Sequence, residues 1–597
     1  MKNSRYNFLA LGILGLLFFL WSLIVSIKYY HFGYDGWDLP LYAQLMWNLC
    51  HGSSHNSLFG GNFLISHFNF IAYLLTPFYY FFQSELTLLF FKVIAFFIGS
   101  YVLYLIAATK IQERWALLLM IGYVFWPSNM AMLLFEFNFE NLALPLILLT
   151  YYFFDQKRYV PFLVSGILLM LVKENLPLVV IMFGLSGLWI HRRDRRGLLY
   201  WGAVPILMGT GFFVFEMWFL LPALVKSYSF HTSIYWERYS SLGLTPKDIL
   251  STVFLNPIKV LALLFPKENV TFIGDLFGPL LVVAILSVQP LLLGLPLFLQ
   301  NLLSNYTPQQ SIGFYYASTL SVFIFLASIC SLEHLLKKRR SSLVIFILVA
   351  VFIFDAAYFP YWFRKIPWQA KVTKNISRDI LSRISSEAGV LTSYSFLPFL
   401  SQRKDVYVVG RTQSVFTKQP VHVPESVTYV AINFSDMFID AQAVKDLVSS
   451  EAWSVETAAD QVVLLRKKRK REESLLRIQS VVFPFSATMM PINLQDSFVR
   501  LIGLEAGRII QTSWHQKILP VKYFWEIKAD PAVQYLLTLV IVQDNKPIWQ
   551  NTRRICYALP LNKGEFIQER VFYPIPSSIS GQFHMTVHLQ AIKQVES

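Results

Sequence analysis

Charge is what this chain of 597 residues has least of: only 15% of its residues are charged, against 55% hydrophobic and 16% aromatic. A soluble protein carries roughly 25% charged residues, so the deficit points to a membrane. Cysteine is nearly absent as well. The three cysteines, Cys50, Cys330 and Cys556, share no short spacing, which excludes a disulfide framework and a cysteine-based metal site. No Walker loop, Gly-rich dinucleotide fingerprint, His-Glu-x-x-His or Gly-x-Ser-x-Gly occurs. His51 and His55 stand four residues apart, but a third zinc ligand is missing from that pattern.

The charge that is present is distributed unevenly. Residues 1–360 hold 22 Lys+Arg and 16 Asp+Glu, while residues 361–597 hold 29 and 20, so a membrane part is joined to a part of soluble composition. The net charge of +15 does not indicate nucleic acid, because the basic residues of the first part fall in short clusters between apolar runs. Apolar runs fit for about 30 Å of hydrocarbon lie near 8–27, 87–108, 115–133, 139–154, 159–178, 176–190, 198–221, 270–286, 288–303, 314–332 and 341–359, which makes eleven expected spans. The first follows Lys2 and Arg5 without a cleavage site and reads as a retained anchor. With the N-terminus in the cytoplasm, 14 of the 22 basic residues and 4 of the 16 acids fall on the inner side, as the positive-inside rule asks. The C-terminal part is then expected outside the cell, with the whole protein a multi-pass component of the plasma membrane. Residues 70–82 (FIAYLLTPFYYFF) are apolar and aromatic but too short to cross, and are read as an interfacial helix.

The boundaries that follow are a transmembrane domain over 1–360 with a long outside loop at 28–86, a small α/β unit over 361–465, a basic linker over 466–474, and a β-sandwich over 475–597 with short strands at regular spacing. Trp514, Trp525 and Trp549 in the last region are read as core in preference to a sugar-stacking platform.

Three loops place polar residues on the outer face. The first carries Asp35, Asp38, Gln44 and His67, in a loop too aromatic to be disordered. The second carries Glu136 and Glu140, spaced to share one helix face, and the third Lys173 and Glu174. Arg238, with Lys247 and Lys267, belongs to a further outside loop. Carboxylates serve as a general base or hold a divalent cation through oxygen, and Arg with Lys clamps a phosphate. Ionisable residues at membrane depth usually pair or line a pathway, and Lys173 with Glu140 is one expected pair.

The stretch Trp37-Asp38-Leu39-Pro40-Leu41-Tyr42-Ala43-Gln44-Leu45-Met46-Trp47-Asn48, then His51-Gly52 and His67-Phe68 ahead of Pro77-Phe78-Tyr79, resembles the opening signature of the prokaryotic polytopic membrane proteins catalogued as domain of unknown function 2079. The likeness runs over about residues 8–435, through Glu136 to Pro145, Lys173-Glu174, Phe277-Gly278-Pro279, Asn301-Leu302-Leu303-Ser304 and Leu397 to Arg403. It departs at Asn138-Phe139, where a His-Pro pair is expected, and at Asn175, where an acid is expected. That family in turn resembles the GT-C superfamily of polytopic glycosyltransferases. The resemblance implies a GT-C-like helical fold and a polyprenyl-phosphate sugar donor, with a glycan or protein as acceptor. It makes Asp38, with Asp35 as substitute, the acceptor base, Glu136 and Glu140 orienting or cation-holding acids, and Lys173 with Arg238 the partners of the leaving phosphate. Glu174, His67 and Gln44 complete the expected substrate site. A transporter or flippase and a non-catalytic envelope assembly protein remain open beside it.

Overall fold

The computed structural model describes residues 4–34, 36–228, 237–368 and 374–410, and beyond them 424–433, 436, 443, 447, 452–459, 462–467, 490–495, 499–511, 517–528, 534–555, 566–576, 579 and 583–592. The chain divides into two units, one of Met1–Tyr29, Gly36–Trp368 and Gln413–Gln419, the other of Tyr30–Asp35, Gln369–Thr412 and Pro420–Ser597.

The first unit is helical. In order come α1 (Ser4–Tyr30), α2 (Asp38–Cys50), α3 (Ile71–Phe81), α4 (Glu85–Lys110), α5 (Glu113–Phe125), α6 (Pro127–Leu134), α7 (Ala143–Asp155), α8 (Tyr159–Met170) and α9 (Leu176–Ile190). The helices Arg195–Leu224, Tyr316–Lys337 and Ser341–Arg364 are long and apolar. Among the described residues five helices are long and apolar enough to cross a membrane, or six if the α5–α6 pair, bent by 50°, is one span. This is the material of a multi-pass membrane protein.

The other expected spans occur as shorter or broken helices, and local chemistry explains several of the breaks. The run expected over 159–178 stops at Met170, and α9 starts afresh with Pro177 in its first turn, where the missing N–H costs nothing. The run near 270–286 is interrupted at Gly278, whose φ of +46° suits glycine and is followed by Pro279. Residues 139–142 form a 3-10 turn in which Asn138 and Asn141 cap each other, so α7 begins only at Ala143. Helix α3 is 11 residues long, about 16 Å at 1.5 Å per residue, far short of the hydrocarbon thickness. Its Phe78, Tyr80 and Phe81 are exposed.

The centre of this unit is the helix Tyr316–Lys337, buried over 78% of its apolar window, whereas Arg195–Leu224 is buried over only 17% and turns its apolar side chains outward. The end of α6 shows how the broken span satisfies its backbone. The last carbonyls of a helix lack intrahelical donors, and here two lysines supply them. Lys92 of α4 donates to the carbonyls of Met132, Leu133 and Phe135, and Lys28 of α1 donates to that of Leu134 at 2.6 Å.

Among its described residues the second unit holds three sheets. A mixed five-stranded sheet, in the order β4 (Val406–Val408), β3 (Gly389–Thr392), β5 (Val427–Asn433), β7 (Val462–Lys467) and β6 (Trp453–Ala459), is parallel across β4-β3-β5 and antiparallel beyond. Phe32, from the segment after α1, is fully buried among Phe396, Leu400 and Leu464, so this part of the first loop is anchored in that core. Strand β7 extends through Lys467, so Arg466 and Lys467 are sheet residues and not part of a linker; residues 468–474 lie outside the described residues.

Two antiparallel sheets follow, β10 (Ile510–Gln511), β11 (Lys517–Ile527), β9 (Val499–Ala506) and β8 (Met490–Gln495) with β14 (Phe566–Ile575) beside β11, and β13 (Lys546–Ile555), β12 (Gln534–Gln543) and β15 (His584–Ile592). Alternate residues of both, among them Val521, Tyr523, Trp525, Leu537, Leu539 and Val587, form one core. Trp525 is buried in it and Trp549 packs against it; Trp514 lies outside the described residues.

Candidate functional site

Helix α2 begins at Asp38 without a side-chain cap of its own, since Trp37 offers none. The first N–H groups of a helix are orphan donors and favour an anion. Glu136, a hundred residues away, fills that need: its Oε1 accepts from Gly36 N at 2.7 Å and its Oε2 from Leu39 N at 2.9 Å. The approach is close. A Cβ on Gly36 would stand 2.6 Å from Oε1, so no other residue fits without moving the carboxylate. Burial, and then the neighbouring charge of Asp38, push the Glu136 carboxyl up to about 7, against the pull of the two backbone bonds and of Lys28.

The Asp38 carboxylate, at the head of the helix so held, accepts from Asn138 Nδ2 at 3.3 Å. Asn138 is thereby used twice, since its Oδ1 also accepts from Glu140 N to close the 139–142 turn. Burial pushes the Asp38 carboxyl above its ordinary value, opposed by the Asn138 bond and by the positive charges of His67, Lys173 and Arg238. Lys173, Arg238 and the imidazole of His67, from three other loops, therefore act on one carboxylate.

Each cation is itself held. Lys173 and Glu140 form a buried ion pair at 2.5 Å. Burial works against the Lys173 charge, but Glu140, Glu174 and the Tyr316 ring outweigh it and hold the ammonium above its ordinary value. The Lys173 ammonium stands 5.7 Å from the Tyr316 ring centre, and the Arg238 guanidinium 4.5 Å from that of Tyr306. Glu174 grips the loop before α3: its Oε1 meets His67 Nδ1 at 2.9 Å and its Oε2 accepts from Phe68 N at 3.2 Å. Asn69 Nδ2 bonds the Val172 carbonyl and Ile71 N the Leu171 carbonyl, so loops 67–71 and 171–174 are fastened along their length. Burial would raise the Glu174 carboxyl, yet the charge and hydrogen bond of His67, with Lys173, bring it down to about 2.

The structure thus gathers Asp38, Glu136, Glu140, Lys173, Glu174, His67 and Arg238. Gln44 lies elsewhere. It is fully buried and spends its amide on Ser57 Oγ at 2.6 Å and Leu58 N at 3.3 Å, which fixes the loop of the small β1 (His55–Asn56) and β2 (Gly61–Asn62) hairpin. Asp35 lies outside the described residues. Sequence reading passed over the donor role of Asn138, the Tyr306 and Tyr316 rings, and Lys28 and Lys92. Of these only Lys92 carried a signal, as a lone cation in a long apolar run.

Among the described residues no group of three or more His, Cys, Asp or Glu side chains is arranged to hold a metal ion. The donor set explains why it fits a cation poorly: both oxygens of Glu136 and of Glu174 are engaged by protein donors, and Glu140 is engaged by Lys173.

Residues 28–464 match the family model described as "Predicted membrane protein (DUF2079)". Among solved structures the chain is similar to the crystal structure of ArnT from Cupriavidus metallidurans bound to undecaprenyl phosphate, with a TM-score of 0.47 at 12% identity over 75% of this chain and 97% of that one. The apo structure of the same protein gives a TM-score of 0.43 at 11% identity over 76% and 98%. No curated protein matches the chain.

Proposed function

The chain belongs to the predicted membrane protein family DUF2079, and from that premise and the geometry around Asp38 we propose that it is an integral-membrane glycosyltransferase using a polyprenyl-phosphate-linked sugar at the outer face of the membrane. The observation that carries the reading is the single carboxylate of Asp38, braced by Asn138 and faced by His67, Lys173 and Arg238. Glycosyl transfer from a phosphate needs a base for the acceptor hydroxyl and positive charge for the departing phosphate, and it draws most of its rate from positioning and electrostatics.

In this scheme the acceptor oxygen bonds to the anomeric carbon as the bond from that carbon to the phosphate oxygen breaks. Asp38 takes the acceptor proton, a task suited to a carboxyl whose affinity for protons burial has increased. Lys173 and Arg238 neutralise the phosphate that leaves with its polyprenyl chain. Glu136, Glu140 and Glu174 are positioning residues, for the head of α2, for Lys173 and for His67. No step is routed through a metal ion. In this reading the site and the sheets of the second unit lie outside the membrane and the N-terminus in the cytoplasm, an orientation that the positive-inside distribution of charge supports. The two antiparallel sheets with their common core are read as a β-sandwich.

The test compares wild type with Asp38→Asn, Lys173→Ala and Arg238→Ala, each purified in detergent, by mass spectrometry of co-purified lipids and then by transfer from the donor so identified. The expected result is a polyprenyl phosphate or its sugar conjugate bound to wild type and depleted in the two cation variants. Turnover should fall about 100-fold or more in Asp38→Asn, the usual worth of a general base. Near-normal turnover of Asp38→Asn would remove Asp38 from its role, and bulk phospholipid alone in every sample would overturn the donor assignment.

A further inference from the structure

Glu216 lies in the helix Arg195–Leu224, a span whose apolar window is only 17% buried. Between Thr210 and Leu220 it is the one buried residue, fully enclosed, at a π-helical turn over Phe215–Leu220. Neither of its carboxylate oxygens has a hydrogen-bond partner among the described residues. Turns of this kind mark functional positions more often than chance, and an unpaired carboxylate at membrane depth is among the costliest groups a protein can hold.

Packing shows where Glu216 faces. The helix runs antiparallel to α9, with Gly202 against Leu188, Gly184 against Ile206, and Gly209 against Ile181 and the Pro177 carbonyl. Gly202, Pro205 and Gly209 are buried on one stripe, and Glu216, seven residues on, continues it. The register carries that position past the start of α9, to the turn that holds Lys173 and Glu174. Phe212, one turn earlier, meets the Phe70 ring at 6.2 Å, beside the His67 loop. Helix α9 carries no charged residue, and Lys226, just past the end of the helix that holds Glu216, is exposed.

We propose that Glu216 is a proton-binding site of the membrane-spanning part, a neutral carboxylic acid at neutral pH that keeps the wall behind Glu174 and His67 free of a second negative charge so that Lys173 and Arg238 can receive an anion. Loss of the proton to water as pH rises adds that charge and weakens anion binding. The anion half of the inference rests on the proposed function; the proton half does not.

Difference infrared spectroscopy on the full chain in lipid nanodiscs tests the proton half. At neutral pH the protonated-carboxyl C=O band of wild type, to which Glu136 also contributes, is expected to lose one component in Glu216→Gln and to keep it in Glu174→Gln. Identical bands in wild type and Glu216→Gln would overturn it. Binding of a short-chain polyprenyl phosphate between about pH 6 and pH 9 tests the anion half. Because Glu136 also ionises in this range, the readout is the difference: wild type should lose about tenfold more affinity on the alkaline side than Glu216→Gln, the equivalent of about 1.4 kcal/mol. An equal loss in both would overturn the link. Absence of binding in every variant would count against the proposed function and leave the infrared band to decide on Glu216.

Discussion

Replacing Glu136 by Gln changes neither volume nor shape, and tests whether the head of α2 is held from outside its own sequence. The carboxylate accepts from Gly36 N at 2.7 Å and from Leu39 N at 2.9 Å. An amide keeps one acceptor and turns an NH2 toward the other N–H, so one charge-assisted bond is exchanged for two donors facing each other. A bond to a charged group contributes about 1.5–3 kcal/mol, and leaving a buried donor unsatisfied costs a similar amount that overlaps with it. Counting the loss once gives about 2–3 kcal/mol, or about 30–150-fold in the opening equilibrium of the helix start. Hydrogen exchange followed by mass spectrometry on peptides covering residues 36–45 should show faster exchange by that factor, with peptides from α4 unchanged. Wild-type protection at Leu39 in a folded Glu136→Gln protein would refute the reasoning.

Gly36→Ala puts a Cβ 2.6 Å from the same carboxylate and should raise exchange over residues 36–45 as Glu136→Gln does; a wild-type exchange profile would show that the carboxylate yields freely. Lys173→Met leaves Glu140 charged, buried and alone, and should cost about 3–5 kcal/mol, whereas Lys173→Met with Glu140→Leu should recover most of that. Thermal unfolding in one detergent distinguishes the two, and equal melting temperatures would contradict the pairing. Glu136 and Glu174 should move stability with pH in opposite senses. The raised carboxyl of Glu136 contributes stability that is complete below about pH 4.5 and is lost as pH rises through about 7. The lowered carboxyl of Glu174 contributes stability present above about pH 4.5 and lost as pH falls toward 2. Unfolding measured across that range should lose its neutral-side decline in Glu136→Gln and its acid-side decline in Glu174→Gln, and unchanged profiles would rule out these groups as the cause.

How much of this was legible in the sequence depended on the range of the interaction. Long apolar runs announced α1, α4 and the helices Tyr316–Lys337 and Ser341–Arg364, because twenty apolar residues leave little choice but to span. Where a run was interrupted by a short turn, as at Gly278-Pro279, hydropathy averaged over the break and gave one span in place of two short helices, and at Leu171–Asn175 it separated two helices but carried the first of them through the turn. Charges within apolar surroundings stood out by their cost, and that is how Lys173 and Glu140 came to be paired before any coordinates. What each acid holds was not legible. Glu136 and Glu140, read as neighbours on one helix face, lie on either side of the Asn138 cap and serve different loops, since a cap on residue 138 starts a 3-10 turn and destroys the helical spacing. Gln44, expected in the substrate site, sits within α2 and is fully enclosed, a consequence of the β1–β2 hairpin that pairs across residues 55–62.

The lysines that close α6 set an order in time as well as in space. Four successive carbonyls, from Met132 to Phe135, are satisfied by two ammonium groups from helices made earlier in the chain. While the protein is being synthesised, Lys28 and Lys92 arrive before their acceptors exist, so α1 and α4 enter the bilayer each with a cation still to be matched. The eight residues of α6 are too short to be drawn across, and the waiting lysines catch their trailing end. Glu136 follows directly, so the strap that fastens the head of α2 is made before three of the five long apolar helices, Arg195–Leu224, Tyr316–Lys337 and Ser341–Arg364.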